Sequence, residues 1–452
     1  MQRALAALRQ GDYDTAFEVL LRTLTLGQGD SAREAALLLP EAYTLYGEGG
    51  VEGAYKAIEQ GTTVFPDLEA HPRMRAIIAE LKALEGAPEE EVRALFPQEP
   101  DPQARYHMAQ ALLYLGVPED AIAVLQEPIN LPEFLYWRAW NLKGKAHEQQ
   151  GQAAEAAEAY EKAAGLSEGL ERYWNLLDAA AMRVEAGEGE AALADLEEAA
   201  DTVELEDPED AATRAYLEAR AQLLLGNPSL ALEAIQKAAA EEHQGAELAH
   251  GTPLVKGQAL VQLGQHREAM EAFREAVARA EGGDKSYALH ELAVAALEAG
   301  DYEEAEEALR QVVRDPEYGY LGEAWGDLGE VLYRLSRYQE ARKAGLEALA
   351  QGAQSAGELV LGHLAYDSVN LEEALEHYQK AVQTAPEGSR DWITAQEMLV
   401  DTLAQLGYRM PEEIVARSEA VLPYLEESDE WHQTVSSYLE RAKSLMGGRR
   451  LN

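Results

Sequence analysis

Apolar residues recur at intervals of three and four along nearly the whole chain, the period of amphipathic helices. The runs are short and punctuated by glycine. In the stretch from Leu289 to Pro316, Leu289, Leu292, Ala293 and Ala296 fall on one helical face. Gly300-Asp301 breaks the run, because glycine tolerates the positive φ that ends a helix and aspartate caps the next one. Ala305, Leu309 and Val312 form the inward face of a second helix, whose glutamate-rich first turn suits the helix dipole. Pro316 stops it.

The same punctuation returns throughout. Turn residues are expected at Gly11, Gly49, Gly86, Gly116, Gly151, Gly187, Gly226, Gly264, Gly300, Ser336, Val369 and Gly407, at steps of 30 to 39 residues. Alanine stands five positions after ten of these twelve, with Glu91 and Glu412 the exceptions. Seven positions before each turn stands alanine or glycine, Val400 alone departing. Small residues at both points let two helix backbones approach closely, while a large neighbour fills the gap beside them. One such hairpin cannot bury its apolar face alone, but stacked hairpins share a continuous core.

With a small residue at each crossing, glycine at the turn, a bulky residue four after the second crossing and proline near the end, these units resemble the tetratricopeptide repeat. The resemblance covers nearly all of the chain and is strongest from Gly144 to Pro386. It implies an all-α fold, an α-solenoid of about twelve helix-turn-helix repeats forming a right-handed superhelix. The expected organisation is an array over residues 1–423, a C-terminal capping helix over 424–446 and a frayed tail over 447–452.

Composition narrows the function. Thirty-eight Lys and Arg stand against 82 Asp and Glu, a net charge of −44, which repels nucleic acid. A solvated acidic outer face accounts for that charge, with steering of a basic partner as the alternative. There is no cysteine, hence no disulfide, thiolate nucleophile or Cys-ligated zinc. Without an apolar run of membrane-spanning length, no membrane span is expected. The first residues lack the sustained apolar core of a signal peptide, so a cytoplasmic location is expected. No phosphate loop, nucleophile elbow or HExxH pair is present, and no cofactor is expected. His243, Glu247 and His250 share a helical face but lack a fourth ligand, so no metal site is expected there.

In proteins of the family this chain resembles, the first helix of each unit lines a concave groove. Counting back from each turn places Tyr43 and Tyr46 there in unit two, Arg73 in three, and Gln103, Tyr106 and Gln110 in four. Unit five contributes Arg138, Asn141 and Lys145, and unit seven Tyr216 and Arg220. Unit nine contributes Tyr287 and His290, unit ten Glu323, Gly326 and Glu330, and unit twelve Glu397 and Asp401. In unit six the count gives Trp174 and Leu177, or Arg172 and Asn175 if Gly187-Glu188-Gly189 lengthens the turn. Arg138, Asn141 and Lys145 resemble part of the carboxylate clamp by which some members hold peptide C-termini. The expected peptide-binding residues are therefore Tyr106, Gln110, Arg138, Asn141, Lys145, Trp174, Tyr216 and Arg220. The aromatic ones serve equally well as packing between helices. The expected function is a non-enzymatic scaffold for an extended peptide or partner helix, such as one with an acidic or C-terminal carboxylate segment. The alternative is assembly through convex faces or array ends without a peptide ligand.

Overall fold

A computed structural model describes residues 1–125, 130–203, 208–239 and 246–449. The chain divides into two compact units, Met1–His243 and Gln244–Asn452. The described residues are helical hairpins throughout, with no strand among them. Unit 1 holds seven hairpins: α1 (Gln2–Arg9) with α2 (Tyr13–Leu26), α3 (Asp30–Leu45) with α4 (Val51–Val64), α5 (Pro72–Leu84) with α6 (Glu89–Ala94), α7 (Pro102–Tyr114) with α8 (Pro118–Leu125), α9 (Glu133–Gln149) with α10 (Ala153–Leu166), α11 (Gly169–Glu185) with α12 (Gly189–Thr202), and α13 (Pro208–Leu224) with α14 (Pro228–Ala239). Unit 2 holds five: α15 (Ala246–Gln262) with α16 (His266–Arg279), α17 (Gly282–Ala299) with α18 (Tyr302–Val312), α19 (Leu321–Arg334) with α20 (Tyr338–Ala350), α21 (Gln354–Asp367) with α22 (Leu371–Thr384), and α23 (Arg390–Gln405) with α24 (Pro411–Val421). A last helix, α25 (Glu430–Arg449), packs on α24 and α23. Residues 450–452 of the expected tail lie outside the described residues. Each unit is thus an all-α solenoid of helical repeats, in which helices pack chiefly on their neighbours in sequence.

The spacing of small residues is what closes each hairpin. All ten alanines five positions after a turn residue, from Ala16 to Ala374, are fully buried. At Gly144 a methyl group would meet the Tyr160 ring at 2.7 Å, and at Gly257 it would meet Phe273 at 2.4 Å. These are the paired small and bulky positions of units five and eight, so glycine there is required by backbone proximity.

Eleven of the twelve expected turn residues adopt positive φ. The exception is in hairpin two, where Gly47 takes it at 88° and residues Glu48–Gly50 form a short 3-10 turn before α4. Helix α3 ends two residues earlier than the count from Gly49 requires. The inward stripe of that helix is therefore Glu34, Leu37 and Glu41, in place of Tyr43 and Tyr46. Tyr43 instead stacks on Phe17, ring centroids 4.0 Å apart, and Tyr46 meets Tyr13 edge-on at 5.4 Å. In hairpin six Gly187 has φ 78° and α12 starts at Gly189, so the shorter turn holds.

Candidate functional site

Hairpin one of unit 1 does not touch only hairpin two. Helix α1 also contacts α9, and Arg9 pairs with Glu133 at 2.9 Å. Hairpin five thus returns to hairpin one, and side chains between them are buried. Some buried side chains here are polar. His107 is fully buried between two carboxylates, 2.5 Å from Glu80 and 3.2 Å from Glu41. Glu41, also fully buried, accepts from Gln103 at 3.0 Å, and Arg73 lies 3.8 Å away while pairing with Glu34 at 3.1 Å. Burial alone would lower the imidazole pKa, but the charge of Glu80 and hydrogen bonds to both carboxylates push it up to about 9. Protonated His107 and Arg73 thus offset three inward acids.

Beside this network is a cavity of about 180 Å³. Tyr106 and Gln110 from α7 line it, with Arg138, Asn141 and Lys145 from α9, so five of the eight expected site residues meet there. Their helical intervals put both sets on facing stripes. Arg138 is not free in this site. It is 8% exposed, donates to the Phe134 carbonyl at 2.5 Å and to the Tyr13 hydroxyl at 3.1 Å, and lies 4.3 Å from the Trp137 ring centroid. Asn141 donates to Asn175 at 2.8 Å, and Asn175 is itself held by Ser167 and the Glu171 carbonyl. Tyr106, Gln110 and Lys145 differ: among the described residues no hydrogen bond engages their polar ends, although Lys145 acts through its charge on Asp178. Burial, with Glu148 adding, raises the Asp178 carboxyl to about 6, against the opposing pull of Lys145 and Asn141. The Tyr106 phenol is held up by burial.

The other three expected residues lie elsewhere in unit 1. Trp174 on α11 is half exposed and donates to Asp210 at 3.3 Å. Arg220 on α13 donates to Glu185 at 2.6 Å and lies 5.8 Å from the ring of Tyr216, which is nearly buried. Of the alternative pair in hairpin six, Arg172 bonds Glu198 and Asn175 serves the α9–α11 contact. Counting missed Glu80 and Trp137, which also line the cavity. Glu80 was within reach of it, six residues before Gly86 as Lys145 is before Gly151; Trp137 is adjacent to Arg138 but off the stripe.

A larger cleft of about 1040 Å³ opens between α1, the start of α9 and the loop into α11, with Leu5, Phe134, Trp137, Leu166, Glu168 and Glu171 among its walls. No group of three or more acids or histidines that could hold a metal occurs among the described residues. His243 lies outside those residues. No described helix is long and apolar enough to cross a membrane.

Comparison with known proteins gives no match among curated sequences. Among solved structures, the hetero-tetramer Cut9–Hcn1 of the APC/C is 14% identical, with 94% of this chain and 98% of that one covered at a TM-score of 0.40. The apo form of RapI is 12% identical, covering 77% of this chain and 98% of that one at 0.47. A tetratricopeptide repeat protein from Parabacteroides merdae is 14% identical, covering 59% and 98% at 0.43. Likenesses this distant say nothing of function. The family model of the tetratricopeptide repeat matches residues 106–171, 254–320 and 291–356. These matches fall in both units, on hairpins whose small residues and left-handed turns are described above, and over them the chain matches the tetratricopeptide repeat.

Proposed function

We propose that the protein is a non-enzymatic interaction scaffold and that unit 1 holds the carboxylate-bearing end of a partner peptide at the cavity lined by Tyr106, Gln110, Arg138, Asn141 and Lys145. The supporting observation is the convergence of Tyr106, Gln110 and Lys145 there with no hydrogen bond to their polar ends. A phenol, an amide and an ammonium are donors suited to a carboxylate, and ionic hydrogen bonds contribute more than neutral ones. Arg138 stands behind them as fixed positive charge. About 180 Å³ accommodates one residue or a chain end, so an extended segment would leave the cavity after its last residue. Trp137 supplies an apolar wall for it. Repeats of this family generally serve protein–protein contact, which favours a polypeptide ligand.

The test uses a short labelled peptide with a free C-terminus and its amidated twin. The free form should bind better, and Lys145→Ala with Gln110→Ala should weaken it about tenfold, with the melting temperature lowered only by the loss of the Lys145 charge beside Asp178, since neither side chain is hydrogen-bonded. Equal binding of the two peptides, or an unaffected double variant, would refute the reading.

A further inference from the structure

In unit 2 the inner positions turn acidic. Glu323 and Glu330 lie on α19, and Glu397 and Asp401 on α23. One cation reaches across this face. Arg390, the first residue of α23, places its guanidinium 3.2 Å from Glu298 of α17, 3.2 Å from Glu330 and 3.7 Å from Asp327 of α19. A single side chain of hairpin twelve therefore ties carboxylates of hairpins nine and ten. On α23, Arg390, Glu397 and Asp401 follow helical intervals and share one stripe.

That stripe is unevenly satisfied. Asp401 accepts from the hydroxyls of Tyr366 and Tyr438. Glu397, two turns beyond Arg390, is 7% exposed and accepts no hydrogen bond among the described residues. Burial, with the charge of Asp429 adding, pushes its carboxyl up to about 7. A largely buried carboxylate beside another negative charge and without a partner is costly, and a cation beside it lowers the cost. Glu323, on the neighbouring stripe, is exposed and makes no ion pair among the described residues.

We propose that the inner face of unit 2 docks an arginine- or lysine-bearing segment of a partner protein, and that Arg390 holds the cation position until that segment displaces it. The occupant follows from charge. Exchange of one guanidinium for another at Glu298, Asp327 and Glu330 is nearly neutral, because the fork geometry is the same. The gain comes from contacts Arg390 does not make, at Glu397 and Glu323. The excess of acid over the whole chain, −44, speeds the encounter with a basic segment.

The experiment titrates the full chain with a labelled peptide of alternating arginine and alanine, read by anisotropy at about 0.15 M salt, where generic attraction is screened. Arg390→Ala should bind at least about fivefold tighter than the parent, as a competitor is gone. Glu397→Gln should bind about tenfold more weakly. If Arg390→Ala disturbs the fold by circular dichroism, Glu397→Gln alone decides, since it removes an unpaired charge. Unchanged affinity in Glu397→Gln overturns the proposal, as does weaker binding by a folded Arg390→Ala. Stoichiometric binding of calcium to Arg390→Ala with expulsion of the peptide also overturns it, in favour of an ion site.

Discussion

The guanidinium of Arg138 donates to the hydroxyl of Tyr13 at 3.1 Å, joining residues 125 apart in the chain. In a solenoid whose hairpins contact their neighbours, this bond links hairpin five to hairpin one. The rest of the guanidinium is used by the Phe134 carbonyl and the Trp137 face. Arg138→Ala therefore removes a charged donor from two acceptors and should destabilise unit 1 by about 2–3 kcal/mol. Tyr13→Phe should cost about 1 kcal/mol. The two should be non-additive in a urea-denaturation cycle, because they share one contact. Additive losses would mean that the bond contributes nothing to holding hairpin one in place.

This contact also marks where sequence reasoning stops. Turn positions such as Gly151 and Gly300 were legible because positive φ selects a residue type locally. Crossing positions such as Gly144 and Ala156 were legible because close helices exclude side chains. The stripe Arg138, Asn141, Lys145 followed from helical periodicity, and the cavity does gather it with Tyr106 and Gln110. Its chemistry did not follow. That Arg138 is committed to Tyr13 depends on the rotation accumulated over five hairpins, which no local pattern encodes. The shift from Gly49 to Gly47 escaped for a related reason: both are glycines, and the choice rests on where α3 ends. Glu41 thereby entered the interior, and the buried His107 network with it.

Val369 sits at a turn where the repeats elsewhere favour glycine, with φ 59° and 79% exposed. A β-branched residue in the left-handed region is strained by about 1–2 kcal/mol. At that exposure the side chain gains little burial to offset the strain. Val369→Gly releases the strain but loosens the unfolded chain by about 0.5–1 kcal/mol, so a net gain of about 0.5–1 kcal/mol is expected in unit 2. Val369→Asn keeps more of the gain, since asparagine visits this region readily. A higher urea midpoint at unchanged slope would register the effect; a lower one would mean that valine is held there by a contact that glycine loses.

The buried imidazole gives unit 1 a dependence on pH whose sign is fixed. His107 titrates at about 9 in the fold against 6.5 ordinarily: burial opposes the charge, and Glu80 and Glu41 more than reverse that. A group whose folded pKa is raised favours the fold while protonated. Its contribution is complete below about pH 6.5 and is lost as the pH climbs to 9. Asp178 and Asp195, each raised to about 6 by burial, also favour the fold in their protonated form, but their contributions are largely spent below pH 7. Glu397, raised to about 7, belongs to unit 2. A fall in the unit 1 melting temperature between about pH 7.5 and 9 is therefore assigned to His107, with about 2 kcal/mol at stake. His107→Gln should lower stability at pH 7, since two buried carboxylates lose their cation and the amide can donate to only part of the pair. The same variant should flatten the profile above pH 7.5. A parent protein whose melting temperature is level from pH 7 to 9 would show that His107 loses no proton over that range and would overturn the assignment.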